Sequence, residues 1–261
     1  MLICPDHGNR YPDPEKSPPG LFSACMFVEA KSQNTVKNKD GGSLMKTSYK
    51  LFMIISCLFL FSAGCAARNE AKNFLPLNPG VTWYYDVDIQ GEKVEMQVQV
   101  GEQKEVEGKL AYPLSYSYHQ QALPTQIEYY AVEDKTIMFP RIDNVQGQFA
   151  KKPSQVFLKF PLKKGDKWEW SGKLLPLGKK EAVATGTVQA VVQEAETVST
   201  PAQTYKNALR ISFTSVFTTQ GTNFGIKEDR WYVNKIGMVK EVVYDEKGEQ
   251  VLIAVLHKIK K

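Results

Sequence analysis

Val94-Glu95-Met96-Gln97-Val98-Gln99-Val100 places an apolar side chain at every second position and a polar one between. Side chains of an extended chain point alternately to opposite faces, so this stretch predicts a strand with one buried and one wet face. The same period recurs downstream, where Leu209, Ile211 and Phe213 alternate with Arg210, Ser212 and Thr214. The run from Val251 to Leu256 is apolar throughout, which predicts a strand covered on both faces. Further strands are expected over residues 81–87, 114–118, 127–132, 156–160, 182–192, 230–233 and 238–244. Gln90-Gly91, Gly147, Lys164-Gly165-Asp166, Gln220-Gly221 and Lys247-Gly248 supply turns between them. Residues 195–206 come nearest to a helix, but Pro201 and the Thr/Ser content argue against one. The reading is a mainly β, antiparallel domain with few or no long helices.

Two strand openings resemble each other. Pro76-Leu77-Asn78-Pro79-Gly80-Val81-Thr82-Trp83-Tyr84-Tyr85 aligns with Pro161-Leu162-Lys163-Lys164-Gly165-Asp166-Lys167-Trp168-Glu169-Trp170, 85 residues later. Pro-Leu gives an extended entry, Gly permits the turn, and Trp starts a strand with a large apolar face. Glu128-Tyr129-Tyr130-Ala131-Val132 pairs more loosely with Arg230-Trp231-Tyr232-Val233. Such self-similarity predicts a duplicated unit, with halves at about 73–150 and 151–261. No Ser/Gly linker divides them, so strands of one half could continue the sheet of the other.

The segment before this domain has another character. From Met45 a basic start, Met-Lys-Thr-Ser-Tyr-Lys, leads into an uncharged run from Leu51 to Gly64 and then Cys65. That is the order of a removable signal peptide, and the run is short of the roughly 18–20 apolar residues a spanning helix needs. Phe61-Ser62-Ala63-Gly64-Cys65 resembles the lipobox of bacterial lipoproteins, with Ser62 standing where Leu is usual. The resemblance implies cleavage between Gly64 and Cys65 and lipidation of Cys65, leaving 65–72 as anchor and short tether. Two or three acyl chains make detachment negligible at about 0.8 kcal/mol per buried methylene. Ala66 follows the cysteine in place of the Asp that retains many such proteins at the inner membrane, which implies the outer membrane where a cell has two. Residues 1–44 are polar and show no period, so a non-translated or disordered extension is expected, with translation starting at Met45. Gly41-Gly42 could encode a ribosome-binding GGAGG ahead of that start.

Composition narrows the function classes. Residues 66–261 carry 26 basic and 23 acidic side chains, too even for a nucleic-acid partner. All four cysteines lie at or before Cys65, which excludes disulfides, thiolate zinc and CxxC redox chemistry from the domain. His119 and His257 stand alone, and no HExxH, GxSxG, P-loop or GxGxxG is present. Neither a cofactor nor a metal site is expected, and no catalytic residue is assigned. Glu128, Glu133, Asp134, Glu228 and Asp229 are the densest carboxylates, read as solvated strand ends. Trp83, Tyr84, Tyr85, Tyr116, Tyr118, Tyr129, Tyr130, Trp168, Trp170, Trp231 and Tyr232 could line a ligand groove, but core packing is the simpler reading.

Thr200-Pro201-Ala202-Gln203-Thr204-Tyr205-Lys206-Asn207-Ala208-Leu209 and Trp231-Tyr232-Val233-Asn234-Lys235-Ile236-Gly237-Met238-Val239-Lys240, with the Pro-Leu-x-x-Gly-x-x-Trp openings, resemble uncharacterised bacterial lipoproteins. In those, a VPAGTF-like segment precedes a strand; here Gln203 replaces its Gly. The resemblance implies a curved antiparallel sheet, a half-barrel or open barrel like that of lipoprotein-localisation factors. Its concave face could hold a lipid or other apolar ligand. The expected function is therefore a non-catalytic, membrane-anchored envelope lipoprotein that carries such a ligand. The alternative is an envelope assembly or protein-interaction module, and a hydrolase comes last.

Overall fold

The computed structural model describes residues 71–118 and 125–261. Thirteen strands follow one another: β1 (Thr82–Ile89), β2 (Glu92–Val100), β3 (Lys104–Val106), β4 (Lys109–Tyr118), β5 (Gln126–Glu133), β6 (Thr136–Asn144), β7 (Gly147–Lys159), β8 (Lys167–Pro176), β9 (Ala184–Ser199), β10 (Thr204–Thr219), β11 (Thr222–Val233), β12 (Gly237–Tyr244) and β13 (Gln250–Lys260). Every pairing is antiparallel between chain neighbours except two. β1 pairs with β13, and β2 pairs with β4 from Val100↔Leu114 to Met96↔Tyr118. These two ladders close the curved sheet into a twelve-stranded barrel, with β3 left over as a flap hydrogen-bonded to β4. The mainly β, barrel-like fold is the one expected; the half-barrel shape is exceeded, because the ring is complete.

Alternation decides which side chains enter the ring. In β1, Trp83, Tyr85, Val87 and Ile89 are buried inside while Tyr84, Asp86 and Asp88 face out. β13 lies between β1 and β12 and buries Leu252, Ala254 and Leu256 inside the ring. Ile253 and Val255 on its other face are only half-buried on the outer wall, so the strand is not covered on both faces as its apolar run suggests. β6 was not foreseen: Pro140 interrupts its alternation, and the ladder steps over that residue between Phe139↔Gln155 and Arg141↔Ala150. On the outer wall Val106 of the flap packs with Ala111 of β4 over Tyr129 and Ala131 of β5, a small second core.

One end of the barrel is stoppered by the chain's own entry. A single helical turn over residues 71–74 is followed by Leu75 and Leu77, and Ala71, Leu75 and Leu77 are all buried. Phe74 packs edge-on against Phe160 at 5.9 Å and tilts over Tyr232 at 6.1 Å. The amide of Lys235 donates to the carbonyl of Asn73, tying the plug to the β11–β12 turn.

The Pro-Leu-x-x-Gly-x-x-Trp segments lead into β1 and β8, which stand six wall strands apart around the ring. Residue 150, where the sequence reading places the boundary between halves, lies within β7, and the connection to β8 spans residues 160–166.

Candidate functional site

A twelve-stranded ring is wide enough to leave a space inside, since eight strands already suffice for a side-chain-filled interior. Here aromatic side chains from strands two or three places apart meet inside it. Phe157 of β7 stacks on Phe213 of β10, three strands away, with ring centres 5.5 Å apart and planes 5° from parallel. Tyr130 of β5 lies 4.8 Å from the Phe157 ring, and Trp170 of β8 packs 6.5 Å from Phe217 of β10. Gly186, opposite Phe217 in the β9–β10 ladder, leaves room for that ring: a Cβ there would sit 2.3 Å from it.

Among these rings lies a cluster of charged and polar groups. Glu128 accepts hydrogen bonds from Tyr116 Oη at 2.8 Å, Tyr130 Oη at 2.6 Å and Gln126 Nε2 at 2.9 Å. Arg230 pairs with Glu228 at 2.8 Å, and its Nε lies 2.7 Å from Glu241, a contact off the N–H axis. Its guanidinium also sits over the rings of Phe157 and Phe213 at 5.6 Å. Burial alone would lower the Arg230 pKa, but the carboxylates of Glu228 and Glu241 outweigh it and hold the value well above the ordinary one. Burial raises the pKa of Glu241, with Arg230 opposing the shift. Tyr116 and Tyr130 are pushed well above the phenol range, first by burial and then by the charge of Glu128.

Lys151 completes the cluster. A bulge in β7 spanning Pro153 turns both Lys151 and Gln155 inward, and the ammonium donates to Gln155 Oε1 while lying 3.8 Å from the centre of the Phe139 ring. Burial lowers its pKa to about 7, against the pull of Glu128 and Glu228. Lys151, Glu128, Glu228 and Arg230 line one interior cavity of about 30 Å³. A second of the same size lies between Leu75, Trp83, Tyr85 and Tyr232. Each has room for one or two waters. Sites for drug-sized ligands occupy roughly 300–1,000 Å³. A larger concavity of about 720 Å³ is open to solvent on the outer wall, over Asp86, Asp88, Lys93, Glu95, Ile253 and Val255. It is a dish with a charged rim, not an enclosed apolar pocket.

The residues singled out from the sequence fare unequally. Cys65, Gly64 and His119 lie outside the described residues. His257 occupies a bulge of β13 on the outer wall, 3.3 Å from the Asp86 carboxylate. Among the described residues no three His, Cys, Asp or Glu side chains gather to hold a metal. The carboxylates read as solvated strand ends divide. Glu133 pairs with Lys109 and Asp134 stands in a turn, but Glu128 and Glu228 are buried inside the ring and Asp229 is buried on the outer wall against Ser212. The aromatic set is mostly core: Trp83, Tyr85, Tyr130, Trp170 and Tyr232 are buried within the ring. Trp231 faces outward, beneath the cations of Arg210 and Lys240. Arg230, Glu241, Lys151 and Gln155 were missed. For Arg230 the signal existed: Glu228, Arg230 and Tyr232 are spaced by two, so a strand that turns Tyr232 inward carries all three.

Residues 176–256 match the model of the DUF3108-like family. That stretch runs from the end of β8 into β13 and contains both Thr200–Leu209 and Trp231–Lys240. No curated protein matches the chain. Among solved structures, the chain is similar to a protein from Bacteroides fragilis described as exported and as having a YmcC-like fold. Identity is 16% and the TM-score 0.50, over 72% of this chain and 99% of that one. A protein from Parabacteroides distasonis described as a lipoprotein aligns at 16% identity and TM-score 0.48, over 72% and 99% of the two chains. The hypothetical lipoprotein YmcC from Escherichia coli aligns at 12% identity and TM-score 0.34, over 70% and 87%. The first of these likenesses is a likeness of fold, a YmcC-like barrel.

Proposed function

We propose that this chain is a non-catalytic envelope protein, held on a membrane by acylation of Cys65 after cleavage behind Gly64, and that its barrel acts through its outside. The filled interior carries this reading. A carrier of lipid needs an apolar space the size of its cargo, and the cavities found inside the ring among the described residues are about 30 Å³ each. Glu128 is engaged by three donors, and Arg230 is held between the carboxylates of Glu228 and Glu241, so these charges are tied to one another. The place of the anchor supports the reading too. Ala71, buried in the barrel's end, follows Cys65 by only six residues, so the domain would ride close to the bilayer. Ala66 favours the outer membrane in a two-membrane cell.

The carrier reading, first in order from the sequence, thereby falls behind the interaction module. Metabolic labelling with an alkyne fatty acid tests the anchor: label is expected on the wild-type chain and lost in Cys65→Ala. Label retained in that variant, or absent from the wild type, contradicts it.

A further inference from the structure

The two ends of the barrel differ in charge. At the end stoppered by residues 71–77, the turns and end segments (residues 71–81, 101–109, 134–135, 160–166, 200–206, 234–236 and 257–261) hold eleven lysine side chains against five carboxylate side chains. The excess remains after Lys109 and Lys164 are paired with Glu133 and Glu194 of the adjoining strands. At the opposite end, residues 89–92, 145–147, 176–183, 219–222 and 244–250 hold three lysines against five carboxylates. The lysines of the stoppered end are spread over the whole rim. Lys135 lies in the β5–β6 turn, Lys163 between β7 and β8, Lys206 at the start of β10, Lys235 in the β11–β12 turn and Lys260 at the end of β13; Lys72 stands on the plug between them. All six are exposed. The even charge balance of the domain as a whole conceals this polarity.

The tether enters at that same end. Six residues from Cys65 to Ala71 reach at most ~20 Å fully extended, at about 3.3–3.6 Å per residue. A lipid on Cys65 therefore keeps this rim within ~20 Å of the headgroups, about two of the ~8–10 Å lengths over which physiological salt screens surface charge, so the lysines can reach them. We propose that the plugged, lysine-rich end of the barrel is a docking surface for the anionic headgroups of the bilayer that holds the anchor. The far end, with its turns and slight negative excess, then points away from the membrane. This assignment rests on the reading of Cys65 as the anchor.

The lipidated protein, extracted from the envelope and reconstituted in vesicles, tests it. The exported domain has no cysteine after Cys65, and an acylated Cys65 presents no thiol, so single-cysteine variants take up one fluorophore each. Asn234→Cys marks the plugged end and Val145→Cys the far end; both positions are exposed. With a quencher on the lipid headgroups, the probe at 234 should be quenched in phosphatidylcholine vesicles containing phosphatidylglycerol. The probe at 145 should not, and high salt should relieve the effect. Replacing Lys135 and Lys163 with Gln should lower the ratio of docked to undocked protein by about fivefold each. Equal quenching at both ends, or quenching indifferent to phosphatidylglycerol and salt, overturns the docking surface. A parent protein that itself takes up the fluorophore has a free Cys65 thiol; that outcome overturns the anchor, and the docking surface with it.

Discussion

Where β13 meets β1, the ladder runs the whole length of β1, from Thr82↔Lys260 to Ile89↔Leu252. Where β7 meets β8, it runs only from Phe149↔Pro176 to Lys152↔Lys173 and stops at Pro153, which has no N–H to give. If the halves are taken as β1–β7 and β8–β13, these two seams occupy equivalent places, each joining the end of one half to the start of the other. The second is closed by side chains instead of backbone. Trp168 Nε1 donates to the carbonyl of Val156 at 3.2 Å, and Trp170 Nε1 to that of Pro153 at 2.8 Å. The lesson is that a β-ring can exchange part of a ladder for indole donors, and that the exchange makes room for an inward bulge. That bulge brings Lys151 into the interior.

Breaking the β7–β8 seam should have the largest effect. A Cβ at Gly172 would lie 2.3 Å from the Trp170 ring and 2.7 Å from the carbonyl of Lys152, with backbone on one side and a packed indole on the other. Gly172→Ala should therefore cost about 3 kcal/mol in chemical denaturation, at the upper end of overpacking. Trp170→Phe keeps most of the apolar body and removes the bond to Pro153, for about 1–2 kcal/mol. In the loop that leads into β1, Gly80 has φ +88° but open space where a Cβ would stand, so Gly80→Ala should cost about 1 kcal/mol from conformation alone. A cost at Gly172 no greater than at Gly80 would mean that the seam is not packed as described.

The interior cluster adds a dependence on pH. The folded pKa of Lys151, about 7, lies below the ordinary 10.5. Between those values the unfolded chain binds more protons than the folded one, so this group makes stability rise with pH across that window. The raised pKa values of the buried tyrosines act oppositely, but only above pH 10, where an ordinary phenol ionises. Thermal melts from pH 7 to 9.5 should show the rise in the wild type and a flatter profile in Lys151→Met. An unchanged slope in that variant would assign the rise to another group.

Much of the wall was legible because period-two alternation survives wherever one face is buried. β2, β10 and β13 read directly from their apolar spacing, and the openings at Trp83 and Trp168 mark β1 and β8. β6 and the first half of β7 were hidden because Pro140 and Pro153 break the alternation at the places where the ladders bulge. Closure was hidden for a different reason: the β2–β4 pairing uses strands whose sequences are equally compatible with two free edges. The interior cluster was least legible. Glu128 and Glu228 look like solvated charges until the parity of Tyr130 and Tyr232 is known, and Lys151 enters only through the bulge.

The central claim is a lipid-anchored barrel with a filled interior, and native mass spectrometry of the protein gently extracted from its membrane tests both parts together. The expected species is a chain beginning at Cys65, heavier by its covalent acyl groups and carrying no dissociable ligand. An unmodified chain, or one that releases a stoichiometric lipid on mild activation, would contradict the account.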